Sequence, residues 1–260
     1  MPREIGRVLL VGAGPGSADL LTIRALRAIE GADALLYDAL VSDEVLALAP
    51  RACTCIQTGK RAAGASMAQE TINALMLRLA AKGLTVVRLK GGDPSVFGRS
   101  GEEVDFLSAR GVPVEVVPGV TAASAAAAQF SFPLTHRGAA RRLVFATARA
   151  DGGPLVEDGW ASGADPQATL ALYMGRDSIA AVFERLIAAG RAPSTPALAV
   201  ENAGRPEARL LRGTLASLPA LLAAMAPGGP VVLIVGEVAA RARSAEVVGA
   251  GSVEPARIAV

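Results

Sequence analysis

One histidine and two cysteines are all that the 260 residues offer as nitrogen or sulfur ligands for a metal. A structural zinc site takes about four such ligands, and His136, Cys53 and Cys55 cannot supply them. The cysteines stand one residue apart, which excludes a disulfide framework and a CxxC redox motif. A serine or cysteine nucleophile with a histidine base would rest on His136 alone. Aromatic residues make up only 3% of the chain, too few to stack single-stranded nucleic acid, and a net charge of +2 is too mild to call for a nucleic-acid partner. No stretch of about 18 uninterrupted apolar residues reads as a membrane span. The N-terminus passes straight into an apolar strand without a signal-peptide pattern, so the expected location is cytoplasmic. What remains is 52% hydrophobic, ample for a buried core.

Lysine is scarce too. Among 26 basic residues only Lys60, Lys82 and Lys90 are lysines. In such an arginine-rich background a lysine marks a place where a compact, deprotonatable ammonium is wanted. Many arginines would also suit a ligand rich in carboxylates.

Apolar periodicity lays out an alternating chain. Short apolar runs over 7–11, 33–37, 54–57, 85–89 and 114–117 read as strands. Helical patterns cover 18–29, 43–48, 67–82, 102–110 and 119–130. The second half repeats the theme, with strands over 143–147, 169–173, 197–201, 208–213 and 231–235 and helices over 178–189 and 214–225. The runs at 197–201 and 208–213 read as a pair joined by a turn. Alternation of this kind argues for an α/β fold with a mostly parallel sheet. The stretch 133–142 lacks an apolar period and marks a junction. We therefore expect one unit over 1–135, a second over 136–238 and a loose tail over 239–260.

The chemistry-bearing residues all fall just after a strand's C-terminal end, where open α/β sheets bind ligands. Gly12-Ala13-Gly14-Pro15-Gly16 tempts a dinucleotide reading, and Asp38 stands after the second strand where a ribose-binding acid belongs. A nicotinamide oxidoreductase is thus a rival on this loop. Against it, the third glycine position is Ser17, and Pro15 lacks an amide donor. A second loop, Lys90-Gly91-Gly92-Asp93-Pro94, leaves room for a flat ligand against backbone and holds Asp93 extended before its proline. Glu102 and Glu103 would complement the dipole of the helix that follows.

Taken in order, Val11-Gly12-Ala13-Gly14-Pro15-Gly16, Tyr37-Asp38-Ala39-Leu40-Val41-Ser42, Gly59-Lys60-Arg61, Arg88-Leu89-Lys90-Gly91-Gly92-Asp93-Pro94, Phe97-Gly98-Arg99, Pro118-Gly119-Val120-Thr121, Pro133-Leu134-Thr135-His136-Arg137 and Val200-Glu201-Asn202 make a specific set. On these motifs the chain resembles the tetrapyrrole methylase family over about residues 7–236. The resemblance implies two α/β domains with the active site in the cleft between them, in a homodimer. It implies transfer of two methyl groups from S-adenosylmethionine to carbons 2 and 7 of uroporphyrinogen III. Precorrin-2 would form through precorrin-1, with release of S-adenosylhomocysteine, for sirohaem or cobalamin synthesis. A sibling precorrin methyltransferase is the alternative with the same cofactor. Carried over by position, Pro15, Gly91, Gly92, Asp93, Val96, Thr121, Ala122, Met174 and Ala203 would contact the cofactor. Asp38 would accept a proton and Lys60 donate one, with no metal involved. Arg61, Arg99 and Arg137 would face the substrate carboxylates. The sequence departs from the family pattern at Ala39, usually arginine, at Ala203, usually glycine, and around 64–66, where a histidine is often found.

Overall fold

The computed structural model describes residues 4–59, 67–148 and 160–243. Five short strands form the first sheet: β1 (Arg7–Gly12), β2 (Ala34–Tyr37), β3 (Thr54–Gln57), β4 (Thr85–Lys90) and β5 (Val114–Val117). They lie in the order β3-β2-β4-β1-β5, and every pairing is parallel. Val8 to Val11 in β1 and Leu35 and Leu36 in β2 are buried whichever face they point to, as a sheet covered on both sides requires. Leu9, Val11, Leu35, Val87 and Leu89 pack with Ala25 and Ile29 of α1 (Ile23–Glu30) and Val45 of α2 (Asp43–Leu46). The alternate residues Val8, Leu10, Leu36 and Val86 pack with Ile72 and Met76 of α3 (Gln69–Ala80) and Leu107 of α4 (Ser100–Ser108). The helices that follow β1 and β4 therefore lie on opposite faces of the sheet, and a crevice opens at the C-terminal ends of these strands.

The second sheet holds β6 (Arg142–Thr147), β7 (Ala168–Tyr173), β8 (Pro196–Glu201), β9 (Arg209–Thr214) and β10 (Val231–Val235), in the order β6-β7-β10-β8-β9. One face packs on α7 (Ile179–Ala188) and α8 (Leu218–Ala224), near the short α6 (Ala161–Ala164). The other face is covered by α5 (Ala122–Gln129), which follows the first sheet in the chain. Its buried alanines at 123, 126 and 127 allow close approach to Ala171, Leu198, Val200, Val232 and Ile234.

Three expectations need correction. The helix read over 18–29 divides, because Ala18–Leu20 make a single 3-10 turn and α1 starts at Ile23. There Thr22 Oγ1 accepts the Ala25 amide at 3.1 Å, an N-cap that overrides the continuing apolar pattern. The second sheet is mixed: only β6 and β7 run parallel, while β7–β10, β10–β8 and β8–β9 are antiparallel. The short turn between β8 and β9 permits only a hairpin. Finally, 239–243 are not a loose tail. Glu237–Arg241 form a 3-10 helix, Val238, Ala239 and Ala242 are buried, and the Arg243 amide donates to the Phe130 carbonyl at 2.8 Å. These small residues fill the space beside α5, a fit too short to leave a period in sequence. Residues 244–260 lie outside the described residues.

At the end of β8, Glu201 is fully buried. It accepts the amides of Gly228 at 2.8 Å and Gly229 at 3.1 Å, and pairs with Arg176 Nη1 at 3.0 Å and Arg209 Nε at 2.6 Å. Burial pushes this carboxyl up, but the amides and Arg209 outweigh it and hold the pKa below the ordinary 4.5. A depressed carboxyl contributes stability above its unfolded value, and that contribution is lost as pH falls through the folded value. Removing one partner of a buried ion pair costs about 3–5 kcal/mol. Glu201→Gln is therefore expected to be less stable by that order at pH 7, and its Tm should decline less steeply than that of the parent as pH falls below 4.5; thermal melts across this range check both.

Candidate active site

The crevice is built by three turns that touch through backbone. Gly14 and Gly92 exchange amide hydrogen bonds, Gly92 to Gly14 at 2.7 Å and the reverse at 3.2 Å. The Ala13 amide donates to the Lys90 carbonyl at 2.8 Å. A Cβ on Gly12 would stand 2.6 Å from Gly119 Cα, and one on Gly119 would stand 2.3 Å from the Gly92 carbonyl. Glycine is thus required at both positions for steric reasons, whatever binds nearby.

Asp93 locks this junction. Its Oδ2 accepts the Gly119 amide at 3.0 Å, and its Oδ1 accepts the Ser95 amide at 2.8 Å and the Ser95 hydroxyl. Burial raises the carboxyl, but the bonds from Ser95 and Gly119 prevail and hold it below the usual range. Asp38 ties in the end of β2 in the same way. Its Oδ1 accepts the Leu40 amide at 2.9 Å and its Oδ2 the Gly91 amide at 3.0 Å. With both oxygens on backbone amides, the carboxylate holds the Gly91 turn in place and is poorly placed to grip a ribose.

The second unit closes the crevice. Thr121 Oγ1 lies 2.6 Å from Tyr173 Oη, which also accepts the Ala123 amide at 3.2 Å. Burial pushes the Tyr173 phenol up, more than these bonds lower it. Gln129 clamps the turn after β8, accepting the Gly204 amide at 2.9 Å and donating to the Arg205 carbonyl at 2.9 Å. Ser17 donates its amide to Gly204, and Arg205 Nη2 reaches the Leu40 carbonyl at 2.8 Å.

Between the units lies a cleft of about 660 Å³, within the size range of small-molecule sites. Pro15, Asp38, Gly91, Gly92, Asp93, Val96, Thr121, Ala122, Met174 and Ala203 all line it. The structure thus brings together every predicted site residue except Lys60, which with Arg61 lies outside the described residues. Of the arginines expected to face a substrate, Arg99 lines the cleft and Arg137 does not; Arg176 and Arg205 do instead. Leu40, Phe97 and Met174 are large apolar residues left 48%, 40% and 54% exposed on its walls. Phe97, Arg99 and Met174 have φ near +55°. A left-handed backbone without glycine costs about 1–3 kcal/mol and persists only where its surroundings impose it. His136 is not among the lining residues, and its Nδ1 lies 2.7 Å from the Arg137 carbonyl. Burial, first of all, and Cys55 push the Cys53 thiol up to about 11, so it is a poor nucleophile.

Two features escaped the sequence reading. Tyr173 was legible only as a strand end, and nothing in its spacing announces a reach to α5. Glu103 was read as a dipole partner, but it is fully buried and pairs with Lys90 Nζ at 2.7 Å and Arg88 Nε at 3.4 Å. The available signal was Arg88 and Lys90 at alternate positions of a buried strand, a pattern that demands an acid nearby.

A paired α/β architecture with glycine turns meeting at strand ends and a wide cleft between the units defines a class that binds a small molecule against backbone. Residues 7–219 match the tetrapyrrole (corrin/porphyrin) methylases, and the chain belongs to that family. It is 48% identical over 238 residues to the uroporphyrinogen-III C-methyltransferase of Paracoccus denitrificans (strain Pd 1222), covering 92% of this chain and 83% of that protein. It is 49% identical to the siroheme synthase of Xylella fastidiosa (strain M12) over 92% of this chain, which amounts to 50% of that longer protein. Among solved structures, the uroporphyrin-III C-methyl transferase of Thermus thermophilus, complexed with S-adenyl homocysteine, superposes with a TM-score of 0.78. It shares 42% identity, with 91% of this chain and all of that one covered. Membership in this family removes the oxidoreductase rival, in agreement with the occupied carboxylate of Asp38.

The backbone junction yields a direct test. Gly119→Ala is expected to lower stability by about 1–3 kcal/mol, the usual cost of overpacking, because the new Cβ meets the Gly92 carbonyl. Gly101→Ala, in α4 with nothing within 4 Å of its Cβ, should instead be neutral or stabilise by up to about 1 kcal/mol. Urea unfolding of the two variants checks the contrast.

Proposed function

We propose that this chain is a methyltransferase that uses S-adenosylmethionine to methylate uroporphyrinogen III. The observation that carries the reading is the single cleft in which the nine expected cofactor residues and Asp38 meet. The residues suit the cofactor. Gly91 lines the cleft and cannot carry a Cβ, which would stand 2.7 Å from that of Leu40. Ala122 opens α5, whose first-turn amides lack intrahelical acceptors by construction. Met174 and Val96 offer apolar contact on either side. When bound, S-adenosylmethionine supplies an electrophilic sulfonium methyl.

The chain's own contribution is alignment and charge. Holding a ring carbon in line with a methyl group is worth roughly 7–11 kcal/mol when geometry is well enforced. Asp38 lines the cleft, where its carboxylate can face the positive charge that develops on the ring. In this reading Asp38 takes up the proton that the ring then loses, and Lys60 donates one. Methylation falls on carbons 2 and 7, through precorrin-1 to precorrin-2, with S-adenosylhomocysteine released. The active form is a homodimer of chains divided near residue 135. The likeness to siroheme synthases supports sirohaem as one end use, with cobalamin as the other.

Incubation with uroporphyrinogen III and methyl-labelled S-adenosylmethionine tests the reading. A tetrapyrrole carrying two labelled methyl groups is expected; no methylated product, or methylation only of a later corrin precursor, would contradict it. Asp38→Asn should cut turnover by about 10²–10⁴, the usual cost of removing an acid–base group. Cofactor affinity should also fall, because one of the amides of Leu40 and Gly91 would then face an NH₂. Single-turnover rates and calorimetry separate the two effects.

A further inference from the structure

Beneath Gly91, two cations stand almost wholly buried in the cleft lining. Arg88 is 5% and Lys90 4% exposed, and both reach the cleft surface together with Gln69. One carboxylate, Glu103, lies behind them. Its Oε2 accepts Lys90 Nζ, and its Oε1 accepts Arg88 Nε at 3.4 Å and Gln69 Nε2 at 3.0 Å. Arg88 Nη1 turns to the Leu89 carbonyl, and Gln69 also reaches Asn73. Gly98 accommodates the lysine stem, for a Cβ there would lie 3.2 Å from Lys90 Cε.

The balance of donors and acceptors is uneven. An ammonium has three N–H groups and a guanidinium five. Glu103 is the one hydrogen-bond partner of the Lys90 ammonium among the described residues. Asp38 also faces Lys90 electrostatically, but its oxygens are engaged by the Leu40 and Gly91 amides and form no ion pair with it within 4 Å among the described residues. The segment 60–66 adds Lys60 and Arg61 to the sequence and no acid. Buried cations are costly unless paired, so two of them sharing one carboxylate at a cleft wall leave room for a second.

We infer that Arg88 and Lys90, backed by Glu103, form a subsite for a carboxylate side chain of the bound tetrapyrrole. Burial lowers the Lys90 pKa more than Glu103 raises it, and an incoming carboxylate reverses that penalty by restoring a counter-charge. The subsite differs from the surface arginines because its cations are dry and fixed before the ligand arrives. It rests on the reading that a polycarboxylate tetrapyrrole occupies the cleft.

Uroporphyrin III, the stable oxidised counterpart carrying the same eight carboxylates, serves as probe in titrations with S-adenosylhomocysteine present. Losing a charged hydrogen bond of about 1.5–3 kcal/mol converts to a weakening of about ten- to a hundredfold. Lys90→Met, which leaves Arg88 paired with Glu103, is expected to weaken uroporphyrin III by that factor and to leave S-adenosylhomocysteine affinity within a few-fold. Glu103→Gln should lower thermal stability yet bind uroporphyrin III as tightly as the parent or tighter, because the competing carboxylate is gone. A purely structural cluster would weaken the probe in both variants. Should either variant fail to fold, the parent protein decides. Uroporphyrin III preactivated as a succinimidyl ester should acylate Lys90 in preference to Lys82, and peptide mass mapping among three lysines is unambiguous. Unchanged probe affinity in Lys90→Met, or no adduct at Lys90, overturns the subsite. Failure of the parent to bind uroporphyrin III at all overturns the substrate reading itself.

Discussion

Backbone touches backbone where the turns after β1, β4 and β5 converge, and no side chain fits between them. A Cβ at Gly12 or Gly119 would collide with the neighbouring main chain at 2.6 Å or less. That contact seats the turn after β5 directly against the turns after β1 and β4. The two aspartates act on the same junction from opposite sides. Asp93 fastens Gly119 to the turn after β4, and Asp38 fastens Gly91 to the turn after β2. Both oxygens of each carboxylate are engaged, those of Asp38 by the Leu40 and Gly91 amides and those of Asp93 by Ser95 and Gly119. The site is therefore rigid before any ligand arrives, and alignment in a methyl transfer depends on that rigidity.

The second unit is held to this junction through polar contacts of short reach. Tyr173 grips the start of α5, Gln129 grips the turn after β8 from the end of α5, and Arg205 returns to the Leu40 carbonyl. Since α5 also packs its alanines into the second sheet, the helix belongs to both halves. A shift of either half would move Thr121 and Ala122 relative to Ala203 and Met174. Binding between the units and cohesion of the units are in this sense one property.

How much of this was legible in sequence follows from where the determinants sit. Strand positions were clear because buried parallel strands carry uninterrupted apolar runs, as in Val8 to Val11 of β1 and Ala34 to Tyr37 of β2. The cleft residues were clear because glycine and proline at strand ends leave few alternatives, and the ordered motifs did the rest. The β8–β9 hairpin was legible from its turn, but the antiparallel pairing of β10 with β7 and β8 was hidden, since short apolar runs do not encode direction. The packing of Val238 and Ala239 was hidden because two small residues make no period. Asp38 was read for its chemistry, whereas its two amide partners become visible only once the chain is folded. Glu103 was misread for a similar reason: its partners lie 13 and 15 residues away, beyond any local rule.

In the function proposed above, the turns after β4 and β5 and the turn after β8 jointly hold one S-adenosyl ligand. Amide hydrogen exchange with and without S-adenosylhomocysteine tests this most directly. Slowed exchange is expected together at Gly91 and Gly92, at Thr121 and Ala122, and at Ala203. Protection confined to the first unit, with Ala203 and Met174 unchanged, would contradict it.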